Sequence, residues 1–256
     1  MRIVIKVGTS TLAHPTGRLN VRRVESLCRV MSDLKNAGHE LVLVSSGAIG
    51  MGAGKLCLPG RPKDIPTKQA AAAVGQCELM YVYDKLFSEY NHTVAQLLLT
   101  GEDIAHPERR QNVENTLFRL LKLGALPVIN ENDTVATQEL VIGDNDTLGA
   151  VVATAVRADL LIVLSDIDGL YTADPRTDKT ATLIPVIPTI TPDIEAMTGG
   201  AGTALGTGGM QTKLHAAKIA TESGIPMVIA NGNAPEILYD IVEGKPVGTR
   251  FEVKKS

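Results

Sequence analysis

The sequence predicts an α/β protein with an open, mostly parallel sheet and helices on both faces. Three observations carry that expectation. Short apolar runs of strand length recur along the 256 residues. Between them lie segments whose apolar residues repeat at helical spacing. Runs such as "DLLIVLSD" and "GIPMVIANG" are apolar throughout and bounded by turn residues, as strands buried on both faces are.

The elements follow in order. "RIVIKV" reads as the first strand, after which Val21, Val24, Leu27, Cys28, Met31 and Leu34 recur at helical spacing until Gly38 supplies a stop. "HELVLVSS" is the next strand. It leads through a small-residue turn into a long helical stretch from about Thr67 to Tyr90. "HTVAQLLLT" is a strand, Pro107 opens a helix carrying Val113, Leu117, Leu120 and Leu121, and "ALPVIN" is a strand again. After the helical "TLGAVVATAV" and the strand "DLLIVLSD", the segment from Asp168 to Thr198 breaks the rhythm. Its Pro175, Pro185, Pro188 and Pro192 predict a hairpin or an irregular excursion there. A helical segment from Lys213 and the strand "GIPMVIANG" resume the alternation.

Composition excludes several classes of function. A chain of this length buries roughly three quarters of the surface its unfolded form exposes, so one large domain needs no cross-links. The 44% hydrophobic and 21% charged residues, with a net charge of -3, offer no basic face for nucleic acid. Cys28, Cys57 and Cys77 are odd in number and lack CxxC spacing, so neither a disulfide framework nor a zinc site is expected. The N-terminus enters a strand without a signal-type stretch, and no window approaches the ~20 apolar residues of a membrane span. A reducing, cytoplasmic setting with no membrane partner is the expectation. His14, His39, His92, His106 and His215 show no metal-ligand spacing, and no GxSxG elbow marks a serine hydrolase.

Ligands of open α/β sheets sit outside the carboxyl ends of the strands, so the strand-to-helix junctions carry the chemistry. In "GTGGMQTK" the glycines let backbone N–H groups approach an anion, and Lys213 adds a mobile positive charge. The same run also reads as a flexible loop capping a helix. No Walker loop or GxGxxG fingerprint is present. Lys6 ends the first strand, either projecting to that rim or snorkelling off it. "VSSGAIG" leaves N–H groups open at a helix start, as an anion seat or as close packing. "NENDTV" empties a strand into Asn130, Glu131, Asn132 and Asp133, a set suited to an ammonium or a metal. "GDND" supplies Asp144, Asn145 and Asp146, one of them an N-cap. Ser165 and Asp166 in "SDIDGLYTADPRT" shape either a base or ribose pocket or a structural turn. Two lysines, glycine-rich anion seats and several carboxylates on one rim are the parts of phosphoryl transfer.

In order, "IKVGTS", "VSSGAIGMG", "KQAAAAVGQ", "LPVINENDTVAT", "GDNDTLGA", "LSDIDGLYTADPR" and "GTGGMQTKLHAA" resemble the amino-acid kinase family, in its glutamate-phosphorylating branch, over the whole chain. The resemblance implies a three-layer α/β/α sandwich. It implies ATP- and Mg²⁺-dependent phosphorylation of the γ-carboxylate of L-glutamate, the first step of proline biosynthesis. By the same resemblance Lys6 contacts ATP phosphates, Ser46, Asp133 and Asn145 bind glutamate, and Asp146 organises the lysines. Ser165 and Asp166 form a nucleotide-site pair, and Thr207, Gly208, Gly209, Met210, Gln211, Thr212 and Lys213 form the nucleotide loop, with Lys213 neutralising the transferred group. No protein ligand of the metal is implied. Longer family members carry a C-terminal PUA domain, whereas this sequence stops at "GTRFEVKKS"; a single kinase domain over residues 1–256 is expected. A homo-oligomer and proline as feedback inhibitor are also implied. Two alternatives stand beside this reading: a kinase of the same fold acting on another carboxylate or phosphate, and a non-catalytic nucleotide-binding module.

Overall fold

The computed structural model describes residues 1–14, 16–136, 144–197 and 209–253. In chain order the elements are β1 (Arg2–Val7), α1 (Thr9–Leu12), α2 (Val21–Asn36), β2 (Glu40–Ser45), α3 (Ala48–Lys55), α4 (Ile65–Ser88), β3 (Val94–Leu99), α5 (Gly101–Ala105) and α6 (Pro107–Lys122). They continue with β4 (Leu126–Glu131), α7 (Asn145–Ala155), β5 (Leu160–Ser165), β6 (Val186–Ile187), α8 (Pro192–Ala196), α9 (Met210–Glu222), β7 (Met227–Asn231), α10 (Ile237–Val242) and β8 (Thr249–Phe251). No helix among the described residues is long and apolar enough to cross a membrane.

The strands form one sheet of order β3-β4-β2-β1-β5-β7-β8-β6, parallel except for the β7–β8 pair. Side chains alternate across a strand. Ile3, Ile5 and Val7 of β1 therefore join a core cluster with Leu27 and Met31 of α2, Leu79 and Tyr83 of α4 and Leu238 of α10. Val4 joins the opposite cluster with Leu117 of α6, Leu148 of α7 and Leu214 of α9. This is the three-layer α/β/α sandwich that the alternating pattern and the resemblance led to.

Three local outcomes differ from the periodicity. The long helix begins two residues early, because the Asp64 side chain accepts the Thr67 N–H and Pro66 fits the first turn; Asn91 at φ 59° follows its end. The proline-rich excursion is pinned by a bridge between Tyr171 and Leu183, yet it also lends the sheet its outermost strand, β6, paired to β8. Two or three residues are too few to display a period, which is why neither β6 nor β8 stands out in the sequence. Val21 heads the α2 apolar series but is exposed at the first helical position.

The crossing of α3 and α4 depends on two glycines. A Cβ on Gly52 would stand 1.7 Å from the Ala71 carbonyl oxygen, and one on Gly75 1.8 Å from that of Ala48. The two helices touch backbone to backbone, so α3, which starts beside β2, is held rigidly against α4.

Candidate active site

The chain turns from β4 across to β5, on the far side of β1, so the carboxyl ends of β2, β1 and β5 lie side by side at the topological switch of the sheet. Alternation on β1 points Lys6 to the same side as Val4, under α7 and α9. Its stem fits there because α7 presents Gly149, where a Cβ would lie 3.3 Å from Lys6 Cβ.

Asp144 caps α7, its carboxylate accepting the N–H groups of Asp146 and Thr147 at 2.7 and 2.9 Å. That cap sets Asp146 in the first helical turn, 1% exposed, facing both lysines. Asp146 Oδ1 lies 2.6 Å from Lys6 Nζ, and Asp146 Oδ2 lies 3.1 Å from Lys213 Nζ. Lys6 is 7% and Lys213 6% exposed. Thr212 Oγ1 donates to Asp146 Oδ2 at 2.9 Å. Burial alone would raise the Asp146 carboxyl; the charges and hydrogen bonds of the two ammonium groups outweigh it and bring the pKa from 3.8 to about 2. Two ammonium groups on one carboxylate sum to a formal charge of +1. Such a cluster is preorganised to meet an anion.

The other wall is built of amides and hydroxyls. Asn145 Nδ2 donates to Ser46 Oγ at 2.7 Å and Asn130 Oδ1 at 3.1 Å, with the Ser45 carbonyl at 3.4 Å. Asp133 follows β4 in a turn, and burial raises its carboxyl above the ordinary carboxylate value. Ser165 closes β5, its hydroxyl donating to Asp166 Oδ1 at 3.3 Å. Lys6, Ser46, Asp133, Asn145, Asp146, Ser165, Asp166 and Lys213 all line one cavity of about 760 Å³, within the range of small-molecule sites.

Three helix starts open near this cavity without a side-chain cap: α1, preceded by Gly8, α3, preceded by Gly47 at φ 104°, and α9, preceded by Gly209. Only glycine takes the Gly47 conformation without strain. Of the glycine-rich run, Thr207 and Gly208 lie outside the described residues. Met210 and Gln211 form the first turn of α9 and do not line the cavity; Met210 packs half-buried against the core. Thr212 reaches Asp146, a contact that its place in a glycine-rich loop does not suggest. Asn130, counted in the sequence only as one acceptor among four, turns out to be nearly fully buried and central to the amide wall. Among the described residues no group of three or more His, Cys, Asp or Glu side chains could hold a metal.

A profile of the amino acid kinase family matches residues 1–231. The chain is 54% identical over 258 residues to a glutamate 5-kinase of Clostridium perfringens, covering 99% of this chain and 96% of that protein. It is 55% identical to a glutamate 5-kinase of Carboxydothermus hydrogenoformans, covering 99% of this chain and 68% of that longer protein. Among solved structures, the isopentenyl phosphate kinase product complex of T. acidophilum superimposes with a TM-score of 0.68 at 19% identity, covering 98% of this chain and all of that one, a likeness of fold. With a family profile across most of its length, and relatives above half identity from end to end, the chain belongs to the amino acid kinase family.

Proposed function

We propose that this cavity transfers the γ-phosphoryl group of ATP to the γ-carboxylate of L-glutamate, giving L-glutamyl 5-phosphate, the first step of proline biosynthesis. The observation that carries the proposal is the pair of buried lysines sharing Asp146 beside an amide-lined pocket. High identity to proteins named glutamate 5-kinase supports the choice of substrate.

The two walls divide the work. Ser46, Asp133 and Asn145 hold glutamate, with the Asp133 carboxylate against the substrate ammonium. That contact favours the ionised form and offsets the desolvation of the empty pocket. Ser165, Asp166 and the segment from Thr207 to Lys213 hold the nucleotide, its phosphates on the N–H groups ahead of α9. A γ-carboxylate has an unperturbed pKa of about 4.3 and is already a nucleophile at neutral pH. Its oxygen forms the new bond to the γ-phosphorus, the bond from that phosphorus to the β–γ bridging oxygen breaks, and ADP leaves with the electron pair. No proton has to move, so no general base is required. The barrier is the approach of two anions, and Lys6 and Lys213 answer it from positions that Asp146 fixes in advance. Each such donor is worth on the order of 3 kcal/mol.

Mg²⁺, when bound, spreads the negative charge of the ATP oxygens. The donor set suits an ion carried on the phosphates and their waters, since both oxygens of Asp146 already face ammonium groups and no acidic cage surrounds the site among the described residues. Proline as an inhibitor competing at the glutamate subsite, and a homo-oligomer, belong to the same proposal.

The test is ADP release with a panel of acceptors: glutamate, acetylglutamate, aspartate, carbamate and a nucleoside monophosphate, with and without proline. Turnover with glutamate well above the rest is expected. A different preferred acceptor, or ATP binding without glutamate-dependent ADP release, refutes the proposal.

A further inference from the structure

We infer that Gln76, on α4 and behind the cavity wall, is a positioning residue that fixes which face Asn145 turns to the substrate; this deepens the proposed function and rests on it. Two buried amides, Gln76 and Asn130, and the half-buried amide of Asn145 are joined in series. Asn130 Nδ2 donates to Gln76 Oε1 at 2.9 Å, and Asn145 Nδ2 donates to Asn130 Oδ1 at 3.1 Å. Their polarity is anchored by main-chain groups that cannot reverse. Asn130 Oδ1 accepts the Glu131 N–H at 2.9 Å, and Asn145 Nδ2 faces the Ser45 carbonyl. Asn130 must therefore aim its NH₂ group away from Asn145, toward α4. Gln76 Oε1 is the acceptor that meets it there.

The consequence appears at the far end of the series. Asn145 Nδ2 is engaged by Ser46, Asn130 and Ser45, so its Oδ1 is left as an acceptor. That oxygen is buried and has no hydrogen-bond partner among the described residues, and Asn145 lines the cavity. A buried acceptor without a partner is costly, and an ammonium donor on the substrate satisfies it. Gln76 holds this polarity without touching the cavity. It can reach Asn130 because its neighbour Gly75 presses α4 against α3, where a Cβ would meet the Ala48 carbonyl at 1.8 Å. The same helix also holds Ser45 through the Tyr83 hydroxyl, 2.9 Å from Ser45 Oγ.

Without the Gln76 oxygen, Asn130 keeps a buried NH₂ with no acceptor. It then turns to find one, and the Asn145 acceptor is lost with it. Gln76→Met keeps the volume and removes the acceptor; Gln76→Glu keeps an acceptor in place. Tyr83→Phe removes a different buried hydrogen bond from the same helix and serves as the structural control. In glutamate-dependent ADP release, Gln76→Met should raise KM for glutamate about tenfold or more, the size of a lost hydrogen bond to a charged group, with kcat within about threefold and KM for ATP unchanged. Gln76→Glu should keep KM for glutamate within about threefold of the parent, and Tyr83→Phe should lower Tm without moving it. An unchanged KM in Gln76→Met, or an equal rise in Gln76→Met and Gln76→Glu, overturns the inference. Side-chain amide exchange read by NMR separates it from the substrate proposal: the Asn130 and Asn145 NH₂ groups should exchange slowly in the parent protein and at least about tenfold faster in Gln76→Met. If the parent fails to turn over glutamate, the function proposal falls and this exchange contrast alone decides; equal exchange rates then overturn the role of Gln76.

Discussion

The two walls of the cavity handle polar burial in opposite ways. On the α7–α9 wall, charge is met by charge: Asp146 sits between Lys6 and Lys213, and its carboxyl is held at about 2. On the β4–α3 wall the acceptors outrun the donors: among the described residues, half-buried Asp133 forms no ion pair and Asn145 Oδ1 has no hydrogen-bond partner. One wall is fixed in place before any ligand arrives, with one positive charge to spare for an anion. The other is completed by a ligand with a positive group. A site that joins a polyanion to an amino acid needs that asymmetry, because the cations must stay in place while the amino-acid ammonium comes and goes.

Substitutions on the two walls should therefore fail in different ways. Asp146→Asn should have the largest effect, since it leaves two buried ammonium groups without their shared carboxylate. Breaking a buried pair costs about 3–5 kcal/mol, readable as denaturant midpoint, and turnover should be lost with it. The acid limb carries the same signature. A carboxyl depressed in the fold contributes stability that is whole above its ordinary value of 3.8 and disappears as pH falls toward 2. That limb should be absent from the pH–stability profile of Asp146→Asn.

Lys213→Ala comes next. It should lower kcat by at least about a hundredfold with little change in KM for glutamate, because the ammonium acts on charge that develops in the transition state. Asp133→Asn should give the reverse split, with KM for glutamate up about tenfold or more and kcat nearly kept. It carries a second readout of opposite sign. A carboxyl raised by burial makes the fold bind protons, so stability grows as pH falls through the raised value and is diminished above it. Removing the charge should raise Tm at neutral pH. A fall in Tm would show that Asp133 is already paired in the empty site, contrary to the contrast between the walls. Gly149→Ala should do least. A Cβ 3.3 Å from Lys6 Cβ displaces the lysine by a few tenths of an ångström, which should trim kcat a few-fold and leave KM for glutamate alone.

Much of this was legible in the sequence, for reasons that differ between residues. β1, β2, β4 and β5 declare themselves as uninterrupted apolar runs, and Lys6, Ser46, Asn130 and Ser165 stand out because each is polar at the end of such a run. The capping role of one residue in "GDND" could be anticipated, and Asp144 fills it. Gln76 could not be singled out. It follows a run of four alanines in its helix, where an amide marks neither core nor surface, and its meaning depends on a backbone contact between α3 and α4 that no local pattern encodes. Thr212 is named as part of the nucleotide loop, but its bond to Asp146 was hidden, since it joins two helices distant in the chain. The short outer strands β6 and β8 escape because sheet pairing, not their own sequence, makes them strands.

The central claim is that Lys6 and Lys213 close together on the phosphoryl group in flight. The most direct measurement is a crystal structure with ADP, Mg²⁺, glutamate and an aluminium fluoride mimic of that group. Both Nζ atoms are expected within about 3.2 Å of the fluorines, on opposite sides, with Asp146 still bridging them. A mimic bound away from Lys6, or contacted by only one ammonium group while the other faces a different surface, would contradict the account.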